Sequence, residues 1–153
     1  MHTKSRCYPC LAIFAMLTAV LIAGVSAQEW SRIPLAYGDT EIALPPSLKL
    51  IKHTRFEWDQ YEIRDGRRLL LQITFSQHTP FVSNLRVWHA YCLNGLRASS
   101  ASDASHTEII VIFPKGALDS YALLDFARKA SSLPERIART FRPTHLRRTQ
   151  CLR

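Results

Sequence analysis

The chain reads as a small α+β protein: an antiparallel β-sheet built from hairpins, with two C-terminal helices packed on one face. Three observations predict this. Residues 53–81 place two apolar, β-prone runs around Asp65-Gly66, a dipeptide suited to tight hairpin turns because Gly adopts positive φ freely and Asp tolerates it. Ile109-Ile110-Val111-Ile112-Phe113 is an unbroken, largely β-branched run. The last third carries helix start and stop signals.

Residues 1–27 read as a secretory leader. Lys4 and Arg6 give a positive start, 11–23 are apolar, and Val25-Ser26-Ala27 offers small residues before a cut at Gln28. The apolar run is short for a bilayer span, which needs about 20 residues. Cys7 and Cys10 fall within the leader and are set aside with it. The mature part divides into a single domain over 28–142 and a basic tail over 143–153. Two cysteines remain, Cys92 and Cys151. An oxidising compartment permits one bridge between them, tying the tail to the sheet; two unpaired thiols are the alternative.

Ile33, Leu35 and Tyr37 alternate before Gly38-Asp39, and 41–44 follow, which predicts a first hairpin with a loop of three to four residues. Pro45-Pro46 stops its second strand, because proline cannot donate to a ladder. Residues 47–52 are a connector or short strand.

In the central hairpin a two-residue Asp65-Gly66 turn sets Ile63 against Arg68 and Trp58 against Ile73. One face then carries Phe56, Trp58, Leu69, Leu71, Ile73 and Phe75, and the other Glu57, Asp59, Gln72 and Thr74. Residues 77–84 form a loop. Residues 85–93 alternate as a strand, with a helix as the alternative, and Asn94-Gly95 turns the chain into a short return over 96–98. The small polar stretch 99–106 reads as an exposed flexible loop.

Residues 107–113 predict a central strand covered on both sides. Asp119 then caps a helix running to about Ala130, with Leu123, Phe126, Ala127 and Ala130 as its apolar stripe and Asp125–Lys129 at i,i+4. Ser132-Leu133-Pro134-Glu135 has the pattern of a capping box and opens a second helix, buried along Leu133, Ile137 and Phe141, with Arg136 and Arg139 outward. Pro143 ends it.

Charge is the most informative feature. The chain has 20 Lys+Arg against 12 Asp+Glu. Residues 28–135 are balanced, so the excess outside the leader lies in Arg136, Arg139, Arg142, Arg147, Arg148 and Arg153. A localised basic segment attracts an anionic membrane surface or an acidic protein. Export makes nucleic acid an unexpected partner, and cleavage of the leader would leave no membrane span.

Motifs for catalysis are missing. The histidines outside the leader, His53, His78, His89, His106 and His145, show no helical metal-ligand spacing. There is no phosphate loop, dinucleotide fingerprint or nucleophile elbow. Ser, Asp and His occur together in 99–106, but a triad needs locked geometry. No metal or cofactor is implied.

The E-I-A-L-P-P stretch at 41–46 and the I-A-R-T-F stretch at 137–141, within a layout of two early hairpins and late helices, resemble the Mog1/PsbP-like α+β domains of small exported bacterial proteins. These stretches cover far less than half the chain. The resemblance implies a scaffold for protein contacts and transfers no site residue.

The expected function is that of an exported, periplasmic or secreted, non-enzymatic binding or accessory protein. Its contacts with a protein or anionic surface would run through Arg136, Arg139, Arg142, Arg147 and Arg148. The rivals are a small secreted hydrolase using His78 or His106 and a periplasmic inhibitor or immunity protein.

Overall fold

The computed structural model describes residues 29–36, 39–54, 58–78, 87–114, 119–127, 133–145 and 151. These form ten strands and one short helix: β1 (Ser31–Leu35), β2 (Thr40–Leu44), β3 (Lys49–Thr54), β4 (Trp58–Asp65), β5 (Arg68–Ser76), β6 (His89–Leu93), β7 (Leu96–Ser102), β8 (His106–Ile112), β9 (Tyr121–Ala127), α1 (Leu133–Ala138) and β10 (Arg142–Pro143). The leader lies outside the described residues.

Two antiparallel sheets hold the strands. The larger has the order β3-β4-β5-β9-β8-β7-β6 and the smaller β1-β2-β10. The chain is therefore mostly β, and the expected α+β architecture with two C-terminal helices is overturned. Only α1 is present among the described residues. The segment assigned to the first helix contains β9, inserted between β5 and β8. Its sequence, Y-A-L-L-D-F-A, fits either period. Ala and Leu favour a helix, but alternate burial decides the matter: Ala122, Leu124 and Phe126 are buried, while Tyr121, Leu123 and Asp125 are half-buried. Tertiary pairing on both edges outweighs local propensity. Lys129 and Ala130 lie outside the described residues.

The central hairpin forms with another register. Asp65 pairs with Arg68, so the turn residues are Gly66 and Arg67, and Leu70 is an extra residue in β5 between the Ile63–Leu71 and Arg64–Leu69 pairs. Along the strands Trp58 meets Ser76 and Tyr61 meets Ile73. The offset from the expected register is odd, so β4 shows its other face. Asp59, Tyr61 and Ile63 point inward with Leu71, Ile73 and Phe75, while Trp58 and Leu69 are exposed. Asp59 reaches the inside because Lys52 Nζ lies 2.9 Å from its Oδ2. That contact also raises the Lys52 pKa. Phe56 and Glu57 lie outside the described residues.

Two further expectations change. The polar stretch 99–106 is no flexible loop, since β7 continues to Ser102 and β8 starts at His106. Asp103 closes the intervening turn, its Oδ1 accepting bonds from the backbone N–H of Ser105 and of His106 at 2.7 and 2.8 Å. Strand β8 is central but covered fully on one face only, since Ile112 is 39% exposed. The early hairpin stands as expected, with Ser31 opposite Leu44 and Leu35 opposite Thr40. Asn94 and Gly95 both take positive φ, as that turn requires.

The core fills the space between the inner face of the large sheet, the small sheet and α1. Ile137, Ala138 and Phe141 are fully buried, as the sequence led one to expect for Ile137 and Phe141. Phe141 lies 6.1 Å from Phe75 and 6.4 Å from Phe113, ring centre to ring centre. Two side chains fix the segment that carries it. Asn94 Nδ2 donates to the carbonyls of Arg139 and Phe141 at 2.8 and 2.7 Å. Thr140 Oγ1 accepts from the Ala43 N–H at 2.9 Å and donates to the Ile137 carbonyl at 2.7 Å. Arg142 and Pro143 then pair with Glu41 and Thr40. Cys92 and Cys151 are bridged, with Cα atoms 5.7 Å apart, which ties residue 151 to β6.

Phe141→Ala should destabilise the fold by about 3–5 kcal/mol, since it removes a fully buried ring; chemical denaturation measures this, and a loss under about 1 kcal/mol would show that the ring does not join the sheets. Replacing Cys92 and Cys151 by Ser should cost about 2–4 kcal/mol, read as a lower urea midpoint that matches that of the reduced wild type.

Candidate functional site

A cleft of about 450 Å³ lies between α1 and the inner face of β6–β9. Its composition follows from the strand register. Ser102, Thr107 and Phe126 form one cross-strand row, and His89, Ser100 and Ile109 the next. Tyr91 stands beside His89 on β6. Ser102 Oγ and Thr107 Oγ1 are 3.0 Å apart. The remaining wall is Glu135 of α1 and Arg139, one turn later, whose Nη2 lies 2.7 Å from Glu135 Oε1.

The cleft thus combines an apolar floor, several hydroxyls, an imidazole and one ion pair. Burial raises the Tyr91 pKa; the Glu135 charge adds to this and Arg139 opposes it. The Glu135 carboxylate holds the Arg139 guanidinium more firmly protonated. A volume in the range of about 300–1,000 Å³ is typical of small-ligand sites with a few placed polar groups.

The sequence-derived candidates are partly here. Arg139 lines the cleft. Arg136 instead lies over the Trp30 ring, 5.1 Å from its centre. Arg142 is ion-paired to Glu41, which also holds Arg32 at 3.1 Å. Arg147 and Arg148 lie outside the described residues. His89, Tyr91 and the β7–β8 hydroxyls were not anticipated as a site. Their signal was present in the alternation of Ser100 and Ser102 opposite Thr107, but small polar residues look like loop in one dimension.

The hydrolase reading had named His78 or His106, and the strand order sets His53 and His106 far apart. His53 is on edge strand β3, while His106 is on β8, with β4, β5 and β9 between. His78 follows the end of β5. His106 has carboxylate neighbours on the outer face of the sheet: its Nε2 lies 3.2 Å from both Glu108 Oε1 and Asp125 Oδ1. Glu108 is buried. Burial raises the Asp125 pKa, with His106 opposing and Glu108 adding to the rise. Neither this cluster nor any other group of His, Cys, Asp and Glu among the described residues is arranged to hold a metal ion. No nucleophile accompanies the imidazole in the contacts described.

A second, smaller cavity of about 20 Å³ is lined by Asp39, Thr40, Phe75, Phe113 and Asp119, with Ala36 at its side. Burial raises the Asp119 pKa, and the charges of Asp59 and Asp39 push it the same way. Thr40 Oγ1 is buried there without a hydrogen-bond partner among the described residues.

No protein-family model, curated protein or solved structure matches the chain.

Asp125→Asn tests the outer-face cluster. A carboxyl raised in the folded state contributes stability at low pH that is lost as pH rises through the folded value. The Asn variant lacks that loss. Its melting temperature should therefore gain on the wild type as pH rises above about 4, the ordinary carboxylate value. A gap that moves the other way would show that pairing with His106 outweighs burial.

Proposed function

We propose that this chain is an exported, non-catalytic binding protein whose recognition site is the α1–β6–β9 cleft, and that it holds a carboxylate-bearing segment of a protein partner. The single observation that carries this reading is the placement of Arg139, a member of the C-terminal basic segment, in the wall of this cleft. A partner carboxylate competes with Glu135 for the guanidinium, which offers donors in a planar fork suited to carboxylates. The hydroxyls of Ser100, Ser102 and Thr107 supply further hydrogen-bonding positions, and Ile109 and Phe126 give an apolar floor.

Export is supported by the leader-like start of the sequence and by the Cys92–Cys151 bridge, which suits an oxidising compartment. Among the described residues no helix is long and apolar enough to cross a membrane. The Mog1/PsbP-like resemblance would fit a contact scaffold of this kind, and it lends no residue to the argument.

An oligoglutamate peptide titrated into the protein, followed by amide NMR, tests the reading. The expected result is saturable shifts at Tyr91, Ser100 and Thr107. Arg139→Gln should weaken binding by about tenfold or more, since a charge-assisted hydrogen bond is worth roughly 1.5–3 kcal/mol. Glu135→Gln should tighten it by freeing the guanidinium. Shifts confined to other surfaces, or an Arg139→Gln variant that binds as the wild type does, would remove the cleft from this role.

A further inference from the structure

We infer that the β3–β5 corner of the large sheet is a docking surface for an anionic lipid bilayer. The corner gathers residues that the sequence separates. Lys49 stands directly opposite Arg64, Arg64 opposite Leu69, and Asp65 opposite Arg68, with Arg67 in the turn. Like charges placed directly across a ladder disfavour each other. The fold nonetheless sets Lys49 against Arg64 at the end of two strands.

Only part of this charge is answered locally. Glu62 takes Arg64 at 2.7 Å, and Arg64 Nη1 also donates to the Arg67 carbonyl at 3.1 Å, which holds its side chain along the hairpin. Lys49, Arg67 and Arg68 are exposed and have no ion-pair partner among the described residues. Space around the turn is open, since a Cβ built on Gly66 would meet nothing within 4 Å.

Two aliphatic side chains share the outer face with Lys49 and Arg64, while Arg67 in the turn and Arg68, on the row opposite Asp65, stand exposed at the same corner. Leu69 is 42% exposed and Ile51, one row further along the sheet, is 39% exposed. The Leu70 bulge produces the first of these, because it turns Leu69 outward while Leu70 and Leu71 stay buried. Cations flanking exposed aliphatics suit a bilayer interface: the charges meet anionic headgroups and the apolar side chains enter the acyl boundary. A soluble polyanion would satisfy the cations and leave Leu69 and Ile51 in water. The surface is separate from the cleft, which lies on the inner face toward the β6 edge.

Co-sedimentation with vesicles tests this, using phosphatidylcholine alone and an equimolar mixture of phosphatidylcholine and phosphatidylglycerol. The wild-type protein should pellet with the mixed vesicles and not with phosphatidylcholine alone. Added salt should weaken the binding. The double variant Arg67→Gln/Arg68→Gln should lower affinity by about tenfold or more, since each surface cation contributes about 1 kcal/mol at such a membrane. Leu69→Ser should weaken binding while leaving net charge unchanged. All three positions are exposed, and an unchanged melting temperature confirms that each variant folds. Absence of vesicle binding overturns the proposal. So does equal binding to both vesicle types. Loss of binding in the arginine variant with none in Leu69→Ser, together with equal competition by heparin, assigns the corner to a soluble polyanion. Self-association that Leu69→Ser abolishes assigns it to a second copy of the chain.

Discussion

The docking of residues 137–141 between the two sheets holds this fold together. Phe141 packs against the stacked rings of Phe75 on β5 and Phe113 just after β8, and its backbone is gripped from both sides. Asn94 supplies two hydrogen bonds from the β6–β7 turn, and Thr140 meets Ala43 of β2. The grip solves a specific problem. The carbonyls of Arg139 and Phe141 lie just past the end of α1, outside its own hydrogen bonds, and burying them bare would be costly. An asparagine in a left-handed turn position meets that need, and its conformation is the one the turn itself demands. The same residue therefore serves the sheet and the helix. Arg139 comes immediately after this helix, so the geometry of the cleft is inherited from the same contacts.

Much of the large sheet was legible in one dimension, and the losses have identifiable causes. Asp65-Gly66 and Asn94-Gly95 marked turns, and 31–44 marked a hairpin, because these signals are local. The register of β4 on β5 was not local. It depends on Leu70, one residue more on β5 than on β4, and on the ability of Lys52 to neutralise Asp59 at the edge of the core. The clean separation of Trp58 and Phe56 from Asp59 in the sequence argued for the opposite face. Ion pairing at the sheet edge made the apparently worse pattern the better one. Strand β9 was lost for another reason: seven residues rich in Ala and Leu satisfy two periods, and only the two flanking strands choose between them.

The candidate site was legible in a single residue. Arg139 was singled out by charge, and it does line the cleft, while Arg136 and Arg142 are engaged with Trp30 and Glu41. Counting charge along the chain also concealed a group. Residues 28–135 balance to zero, yet β3 and the β4–β5 turn bring Lys49, Arg64, Arg67 and Arg68 together at one corner. Neutral sequence and neutral surface are different properties, because strand pairing sorts charge across distances that a running sum averages out. The hydroxyls of β7 and β8 were overlooked since Ser-rich stretches ordinarily avoid strands. Here they tolerate one because Ile109, Val111 and Leu96 supply the buried area that the serines lack.

The order of strands in the large sheet has a consequence for how the chain reaches this structure. Strands β3, β4 and β5 form one meander of near neighbours, and β6, β7, β8 and β9 form a second. Every pairing within each meander closes a short loop. The seam between them, β5 on β9, joins residues such as Phe75 and Ala122 that are far apart in sequence. Loop closure of that length carries an entropy cost before any contact across it is gained, and such non-local pairings slow folding. The two meanders are thus natural early units, and zipping of the seam is the pairing expected to be slow. The same seam brings Phe75 to the place where Phe141 packs, so the hydrophobic core closes only after the halves have met.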